Sequence, residues 1–312
     1  MLKYFRIDNA KLGECPDKAQ AQVILSIAPD AAEFADIIQN YKIDEHDLHS
    51  SLDFNELSRF EFEDDYTILI IKRPKNYSST DNMLFKVNAM GIFLLKDGRI
   101  LIVMAEDIQI VEGKHFSKVK TPLDVLIRII YGTISHFIGH LRVINSVSEE
   151  LEQKINASME NKYLINMFSL EKSLVYYLDG INSNAKVIDK LKATAARIGF
   201  TAENTDMLED IIIENQQCQK QAEIYLNILT GLMDARGSIV NNNLNILIKR
   251  LTIINIVFMP LNLLAGIGGM SEYSMMTRNI AWPIAYAAFL VAMVIFGIMT
   301  YSLMTRIGQK SI

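Results

Sequence analysis

The sequence predicts an α+β domain, then long helices, then two helices that cross a membrane at the C-terminal end. Two stretches carry the membrane prediction, since residues 251–270 and 281–304 contain no charged side chain. At about 1.5 Å of rise per residue, each stretch is long enough to span the hydrocarbon core of a bilayer. The part before residue 251 is mixed polar and apolar sequence, typical of a water-soluble body.

The composition excludes some classes of protein. The chain has 312 residues, is 50% hydrophobic and carries a net charge of −5, which disfavours nucleic acid as a partner. Cys15 and Cys218 match no metal or redox spacing, and we expect free thiols in a reducing compartment.

Residues 1–120 are expected to form the α+β domain, an α/β/α sandwich on the cytoplasmic side. The helix Ala31–Tyr41 follows Asp30, a suitable N-cap, and Lys96-Asp97-Gly98 is a good hairpin turn. Strands are predicted at residues 2–7, 22–27, 66–72, 85–95 and 99–105. No phosphate loop or nucleophile elbow occurs in the sequence, so we do not expect an enzyme.

Residues 121–200 predict antiparallel helices. Thr121-Pro122 starts the first one, because Pro suits the first helical position, and a break falls at residues 156–161. From about residue 205 to 266 the only breaker is Pro260. We therefore expect a stalk helix over residues 201–250 that continues into the first span.

The charges that flank the spans predict the topology. Lys249 and Arg250 precede the first span, and Arg306 and Lys310 follow the second. The connecting loop, residues 271–280, contains only Arg278 as a base. By the positive-inside rule this loop is periplasmic and the tail at residues 305–312 is cytoplasmic. The predicted location is the plasma (inner) membrane, with both termini in the cytoplasm.

A mostly polar seam follows the stalk into the first span. Its positions step by three and four residues, which is heptad spacing: Asp234, Ser238, Asn241, Asn245, Ile248, Thr252, Asn255, Met259 and Asn262. Such a seam suits a hydrated axis between several copies of the helix. It would equally suit packing against other helices of the same chain.

The C-terminal part resembles the CorA family of divalent metal-ion channels. Residues 258–261 read Phe-Met-Pro-Leu, residues 265–267 read Ala-Gly-Ile, and residues 269–271 read Gly-Met-Ser where that family has Gly-Met-Asn. Upstream, Gly-Leu-Met-Asp at residues 231–234 also resembles the family. The resemblance implies a homopentameric funnel.

The resemblance implies that the first span lines the pore. The pore-facing positions it implies are Asn245, Ile248, Leu251, Met259 and Asn262, with the motif at Gly269, Met270 and Ser271. Asn255 and Asp234 lie on the same seam and would add an amide ring and an acidic ring. In the loop, Glu272 would concentrate cations.

Two departures from the family pattern affect the expected ion. Ser271 replaces the motif's Asn and offers fewer hydrogen-bonding groups, whereas Asn262 stands where the family usually has Thr and could take over recognition of the ion's water shell. The transported ion is expected to be Mg²⁺, with Zn²⁺, Co²⁺ and Ni²⁺ as alternatives.

A regulatory metal site is the least complete feature. The stalk ligand implied by the resemblance is Asp210, and Glu214 lies one turn further along the same face. The family's second acidic ligand falls on Ser50, near His46, Asp47 and His49, which would favour a softer metal. The second long helix of the family is often heavily acidic, whereas this chain has Ser135, His136 and His140 in its first long helix instead.

The expected function is therefore passive influx of hydrated divalent cations, with membrane lipids and further copies of the chain as partners. A proton-coupled Zn²⁺ transporter and a non-conducting protein that docks partners are the alternatives. The spans contain no His, Asp or Glu to relay protons.

Overall fold

The computed structural model describes residues 1–77, 83–107, 116, 118–157 and 161–310. These residues form two compact units, Met1–Met233 and Asp234–Ile312.

A seven-stranded mixed sheet is the centre of the first unit. Its strands are β1 (Leu2–Asp8), β2 (Lys11–Glu14), β3 (Val23–Ile27), β4 (Arg59–Phe62), β5 (Tyr66–Pro74), β6 (Val87–Leu95) and β7 (Ile100–Met104). The order across the sheet is β2-β1-β3-β7-β6-β5-β4. Among the described strands, only β3 and β7 pair in parallel, with Leu25 opposite Ile102. The five predicted strands are confirmed, while β2 and β4 were not predicted.

Helices cover both faces of the sheet, which confirms the predicted fold class. On one face, α1 (Ala31–Tyr41) and α2 (Glu45–Ser50) bury Ile37 and Leu48 against the side chains of Ile68 and Ile70. On the other face, α3 (Pro122–Ala157) and α4 (Asn161–Ala193) cover the alternate side chains of the same strand, Leu69 and Ile71. This alternation follows from the two-residue period of a strand.

Local sequence signals explain several boundaries. The Asp30 side chain accepts hydrogen bonds from the backbone N–H groups of Ala32 and Glu33, and Glu33 completes the capping box. Gly98 adopts φ +84° in the turn between β6 and β7, a conformation that favours glycine. The predicted helix break is confirmed, since α3 ends at Ala157 and α4 begins at Asn161.

A polar contact joins α4 to the unpaired edge at the end of β5. Because β4 pairs only as far as Ile70, no described strand lies beside Lys72 on that edge, whereas β6 pairs along the other edge, with Ala89 opposite Lys72. The Asn184 side chain supplies the missing partners: its Oδ1 accepts from the Lys72 N–H at 2.7 Å, and its Nδ2 donates to the Lys72 carbonyl at 2.7 Å. Ser183 Oγ accepts from the Ser58 N–H at 2.9 Å. Asn184 therefore acts as a substitute for a neighbouring strand.

The remaining helices are α5 (Ala195–Ile198), α6 (Ala202–Gly268), α7 (Ser271–Met276) and α8 (Trp282–Lys310). Gly199, at φ +92°, ends α5. Helix α6 runs without interruption through Pro260, as the sequence predicted. Helix α7 lies inside the predicted connecting loop, residues 271–280, so this connection contains one short helix.

Among the described residues, two helices are long and apolar enough to cross a membrane. One is α6 and the other is Trp282–Met304. Only 6% of the apolar stretch of each helix is buried within the chain. Such exposure is unlike that of a core helix of a soluble protein.

Candidate ion-conduction site

The predicted polar seam is exposed in the single chain. The nine exposed seam positions of α6 are Asp234, Ser238, Asn241, Asn245, Ile248, Thr252, Asn255, Met259 and Asn262. Leu251, the remaining pore candidate below the motif, is 60% exposed, and Met259 is 74% exposed. The side chains that the resemblance places in a pore are thus available to other molecules.

The opposite face of α6 is the one that is covered. The less exposed positions recur at helical spacing: Ile253, Val257, Pro260, Leu261, Leu264 and Gly268. A helix turns about 100° per residue, so Val257 and Met259 point about 160° apart. On α8 the less exposed positions also recur every three or four residues: Ala285, Phe289, Met293, Gly297 and Thr300.

Two glycines mark the contacts between these faces. A Cβ atom at Gly268 would lie 2.5 Å from Cζ of Phe289, and one at Gly297 would lie 3.4 Å from Cδ1 of Leu261. Small residues allow helices to approach closely within a membrane. Helix α8 therefore occupies the side of α6 that faces away from the seam.

The seam offers oxygen and amide groups. Thr252 Oγ1 donates to the Ile248 carbonyl at 2.8 Å, so its oxygen still has lone pairs to accept with. Within the described part of the chain, no hydrogen bond occupies the side-chain amides of Asn245, Asn255 and Asn262. These amides can present both carbonyl oxygens and N–H groups to a ligand.

The motif lies where α6 ends. The N–H of Gly269 donates to the Ala265 carbonyl at 3.1 Å, and the N–H of Met270 donates to the Ile267 carbonyl at 3.1 Å. Ser271 then begins α7. Met270 is 52% exposed. The side chain of Glu272 lies outside the described part of the structure.

The predicted regulatory residues lie in the first unit. Asp210 is exposed and Glu214 is half-buried on α6. Burial, together with the charge of Glu214, raises the pKa of the Cys218 thiol to about 12. Within the described residues, no three His, Cys, Asp or Glu side chains cluster closely enough to hold a metal.

The second half of the predicted metal site is engaged elsewhere. Ser50 is buried. Asp47 is also buried, where its Oδ1 accepts from Arg59 Nη2 at 2.6 Å and its Oδ2 accepts from Tyr66 Oη at 2.6 Å. The His49 ring lies 4.6 Å from that of Phe34. These contacts give Asp47 a structural role in the domain.

The two histidines of α3 are half-buried beside each other. Their ring centroids lie 4.3 Å apart, and His140 Nδ1 lies 2.6 Å from Tyr177 Oη. Burial, with smaller contributions from His140 and Arg73, lowers the pKa of His136 to about 4. This region therefore contains neutral, half-buried rings at pH 7.

Comparisons with known proteins agree with the arrangement of the helices. A family model described as "CorA-like Mg2+ transporter protein" matches residues 24–306. The cobalt/magnesium transport protein CorA of Methanocaldococcus jannaschii is 26% identical over 72% of this chain and 72% of its own length. Its namesake from Thermotoga maritima is 24% identical over 79% and 71%. The complete structure of the M. jannaschii CorA magnesium transporter superposes with a TM-score of 0.79, covering 97% of this chain and 96% of that one at 20% identity.

Proposed function

The chain belongs to the CorA-like Mg²⁺ transporter family, and on this basis we propose that five copies form a channel for hydrated divalent cations, Mg²⁺ first among them. The helices α6 and α8 supply the two membrane spans of each copy. The observation that supports the proposal most is the exposed seam of α6, which lies opposite the face that α8 covers. Further copies of the chain would turn such a polar stripe into a closed axis inside a membrane, where polar groups must be shielded from lipid.

The amide positions suit a hydrated ion. Mg²⁺ releases its water ligands reluctantly, and the side-chain oxygens of Asn245, Asn255 and Asn262 can accept hydrogen bonds from those waters. One residue per copy gives a ring of amides at each level. The rings would hold the ion through its water shell.

The apolar positions suit a gate. Rings of Ile248, Leu251 and Met259, each of which is more than half exposed in the single chain, would make a narrow constriction that closes by dewetting. Asn255 would interrupt this constriction with one amide ring. On the cytoplasmic side, Asp234 would attract cations.

The outer end carries the family motif in altered form. We place Gly269, Met270 and Ser271 at the entrance, with a smaller polar ring at Ser271 than an asparagine would provide. Asn262, deeper on the seam, takes over part of the recognition. Glu272 directly follows the motif in the sequence and would concentrate cations at the entrance, with Arg278 acting against it.

The direction proposed is inward. The bases at Lys249, Arg250 and Arg306 favour cytoplasmic termini in the plasma membrane. Each charge that moves inward gains about 2.3 kcal/mol per 100 mV of membrane potential. Because the spans contain no His, Asp or Glu, the proposed flux does not depend on a proton gradient.

We also assign a regulatory divalent ion to Asp210 and Glu214. Two carboxylates one helical turn apart are too few to enclose an ion. The remaining ligands would come from water or from a neighbouring copy.

The test is ion flux into proteoliposomes that contain the purified full chain. Uptake of Mg²⁺, Co²⁺, Ni²⁺ and Zn²⁺ would be compared with and without an imposed pH gradient, and for Ser271→Asn as well as the native chain. We expect saturable Mg²⁺ uptake whose rate is the same with and without the pH gradient.

Two outcomes would contradict the proposal. Zn²⁺ uptake that follows the pH gradient would replace it with a proton-coupled zinc transporter. No uptake of any ion, restored by Ser271→Asn, would mean that the native chain does not conduct.

A further inference from the structure

A pocket in the first unit is unrelated to the proposed conduction site. It has a volume of about 510 Å³ and lies between the end of β5, the start of β6, the segment after α2 and the side of α4. This volume is within the range of sites that bind small molecules. Gly180 brings α4 close to the sheet here, since a Cβ atom at this position would lie 3.2 Å from Cβ of Lys72.

The pocket is strongly basic. Lys72, Lys75, Lys86 and Lys172 line it, and Asp179 is the sole carboxylate among its described lining residues. Lys75 is paired at 3.1 Å with Glu106, which lies outside the lining. The other three lysines have no carboxylate within 4.0 Å in the described part of the chain. Such a lining favours an anionic ligand.

Lys72 is the clearest sign that an anion belongs here. The residue is 2% exposed, and its ammonium donates to the Phe54 carbonyl at 2.5 Å. An ammonium has three donors, so this contact satisfies one of them. Burial lowers the pKa of Lys72, against the attraction of Asp179, Asp53 and Glu56. A buried charge that lacks an ion-pair partner is costly, and a bound anion would remove that cost.

Aromatic and amide groups complete the lining. Tyr176 is 38% exposed and Phe54 is 63% exposed, so both rings are open to a ligand. The ammonium of Lys172 lies 5.7 Å from the centre of the Tyr176 ring. Asn55 and Asn88 add hydrogen-bonding groups. A flat aromatic base stacks well on such rings.

We propose that this pocket binds a nucleoside polyphosphate. The ammonium groups of Lys72, Lys86 and Lys172 hold the phosphates, and the Tyr176 ring lies against the base. The two parts of the ligand thus match the two kinds of side chain in the lining. The site is independent of the proposed channel activity.

The test is isothermal titration of the full chain in detergent, with EDTA present so that no divalent ion takes part. The probes are ATP, pyrophosphate, inorganic phosphate and adenosine. We expect ATP to bind more tightly than pyrophosphate, and adenosine to bind weakly. Lys172→Glu and Lys86→Glu change exposed side chains and should weaken ATP binding by about tenfold or more.

Two further variants separate the contributions. Lys186→Glu changes an exposed lysine of the same helix outside the pocket, so ATP binding should be unchanged. Tyr176→Leu should weaken ATP binding and leave pyrophosphate binding as it was. No binding of any phosphate, or equal losses in Lys172→Glu and Lys186→Glu, would overturn the site. Equal affinities for ATP and pyrophosphate, unaffected by Tyr176→Leu, would overturn the assignment to a nucleoside.

Discussion

Gly268 leaves room for the ring of Phe289, at a point immediately before the Gly-Met-Ser motif. A Cβ atom at position 268 would lie 2.5 Å from Cζ and 2.9 Å from Cε1 of that ring. The position of the motif therefore depends on a side chain of the second span. Because of this contact, a residue larger than glycine does not fit at position 268 unless Phe289 moves.

The first prediction follows from that contact. Gly268→Val should force Phe289 aside and destabilise the pair of spans by about 1–3 kcal/mol, with reduced ion flux. Thermal unfolding in detergent and proteoliposome flux would measure both effects. Gly266→Val is the matched control, because a Cβ atom there meets nothing within 4 Å in the chain. If Gly266→Val lowered stability and flux as much as Gly268→Val, the contact with Phe289 would not be the cause of the loss.

The second prediction concerns the seam. Asn262→Ala removes one amide per copy and should weaken the apparent affinity for Mg²⁺ about tenfold, which corresponds to about 1.4 kcal/mol. The measurement is the concentration dependence of Mg²⁺ uptake. Leu263→Ala truncates the next residue, which is 67% exposed but lies off the seam, and should leave the affinity unchanged. Unaltered affinity in Asn262→Ala would remove Asn262 from the proposed recognition site.

The third prediction concerns the contact between β6 and the end of α2. A Cβ atom at Gly91 would lie 1.9 Å from Oγ of Ser51, whose side chain is fully buried. Gly91→Ala should destabilise the first unit by about 1–3 kcal/mol, measured by urea unfolding and circular dichroism. Ser51→Gly in the same chain should restore most of the loss. Gly13→Ala, which meets nothing within 4 Å, serves as the control.

The fourth prediction tests the hydrogen bonds between the Asn184 side chain and the Lys72 backbone. Asn184→Leu leaves both backbone groups of Lys72 without their partners, and each buried unsatisfied group costs about 1–3 kcal/mol. Urea unfolding should show this loss, together with faster amide hydrogen exchange at Lys72. Ser183→Ala gives the comparison, because it removes only the hydrogen bond to the Ser58 N–H. A smaller effect in Asn184→Leu than in Ser183→Ala would contradict this account.

The fifth prediction is a pH dependence of stability. The pKa of His136 is about 4 in the folded chain, against an ordinary value of 6.5. As the pH falls from about 6.5 to about 4, the unfolded chain binds a proton that the folded chain does not. Stability should therefore decrease over this window. Denaturant unfolding at several pH values would show a shallower decrease in His136→Gln, whereas His46→Gln, at an exposed site, should match the native chain.

The sequence predicted the long and regular elements well. The Ala31–Tyr41 helix, its Asp30 cap, the turn at Gly98 and the uninterrupted α6 are all confirmed. Each depends on local chemistry or on a long apolar period, which a single sequence displays directly. The resemblance to the family extends over essentially the whole chain but is strong only over residues 210–304, where its motifs lie, and the family model matches residues 24–306.

Short elements and contacts between residues far apart in the chain could not be predicted from the sequence. The strands β2 and β4 have four residues each, and the helices α2 and α7 have six, too few to show a period. The contacts of Gly268 with Phe289 and of Asn184 with Lys72 join residues far apart in the chain, and no local pattern signals them. The lysines of the basic pocket come from three segments and appear unrelated until the chain is folded.

The parallel pairing of β3 with β7 has a consequence for synthesis on the ribosome. All five residues of β3 are buried. One of the two strands that pair with β3 is β7, which ends at Met104 and is therefore synthesised much later. Until that part of the chain emerges, β3 has β1 as its sole neighbour in the sheet. The meander β4-β5-β6-β7 has only local pairings and can form first, since closing a short loop costs less entropy than closing a long one. The nascent chain would then add its first three strands to a sheet assembled from later residues.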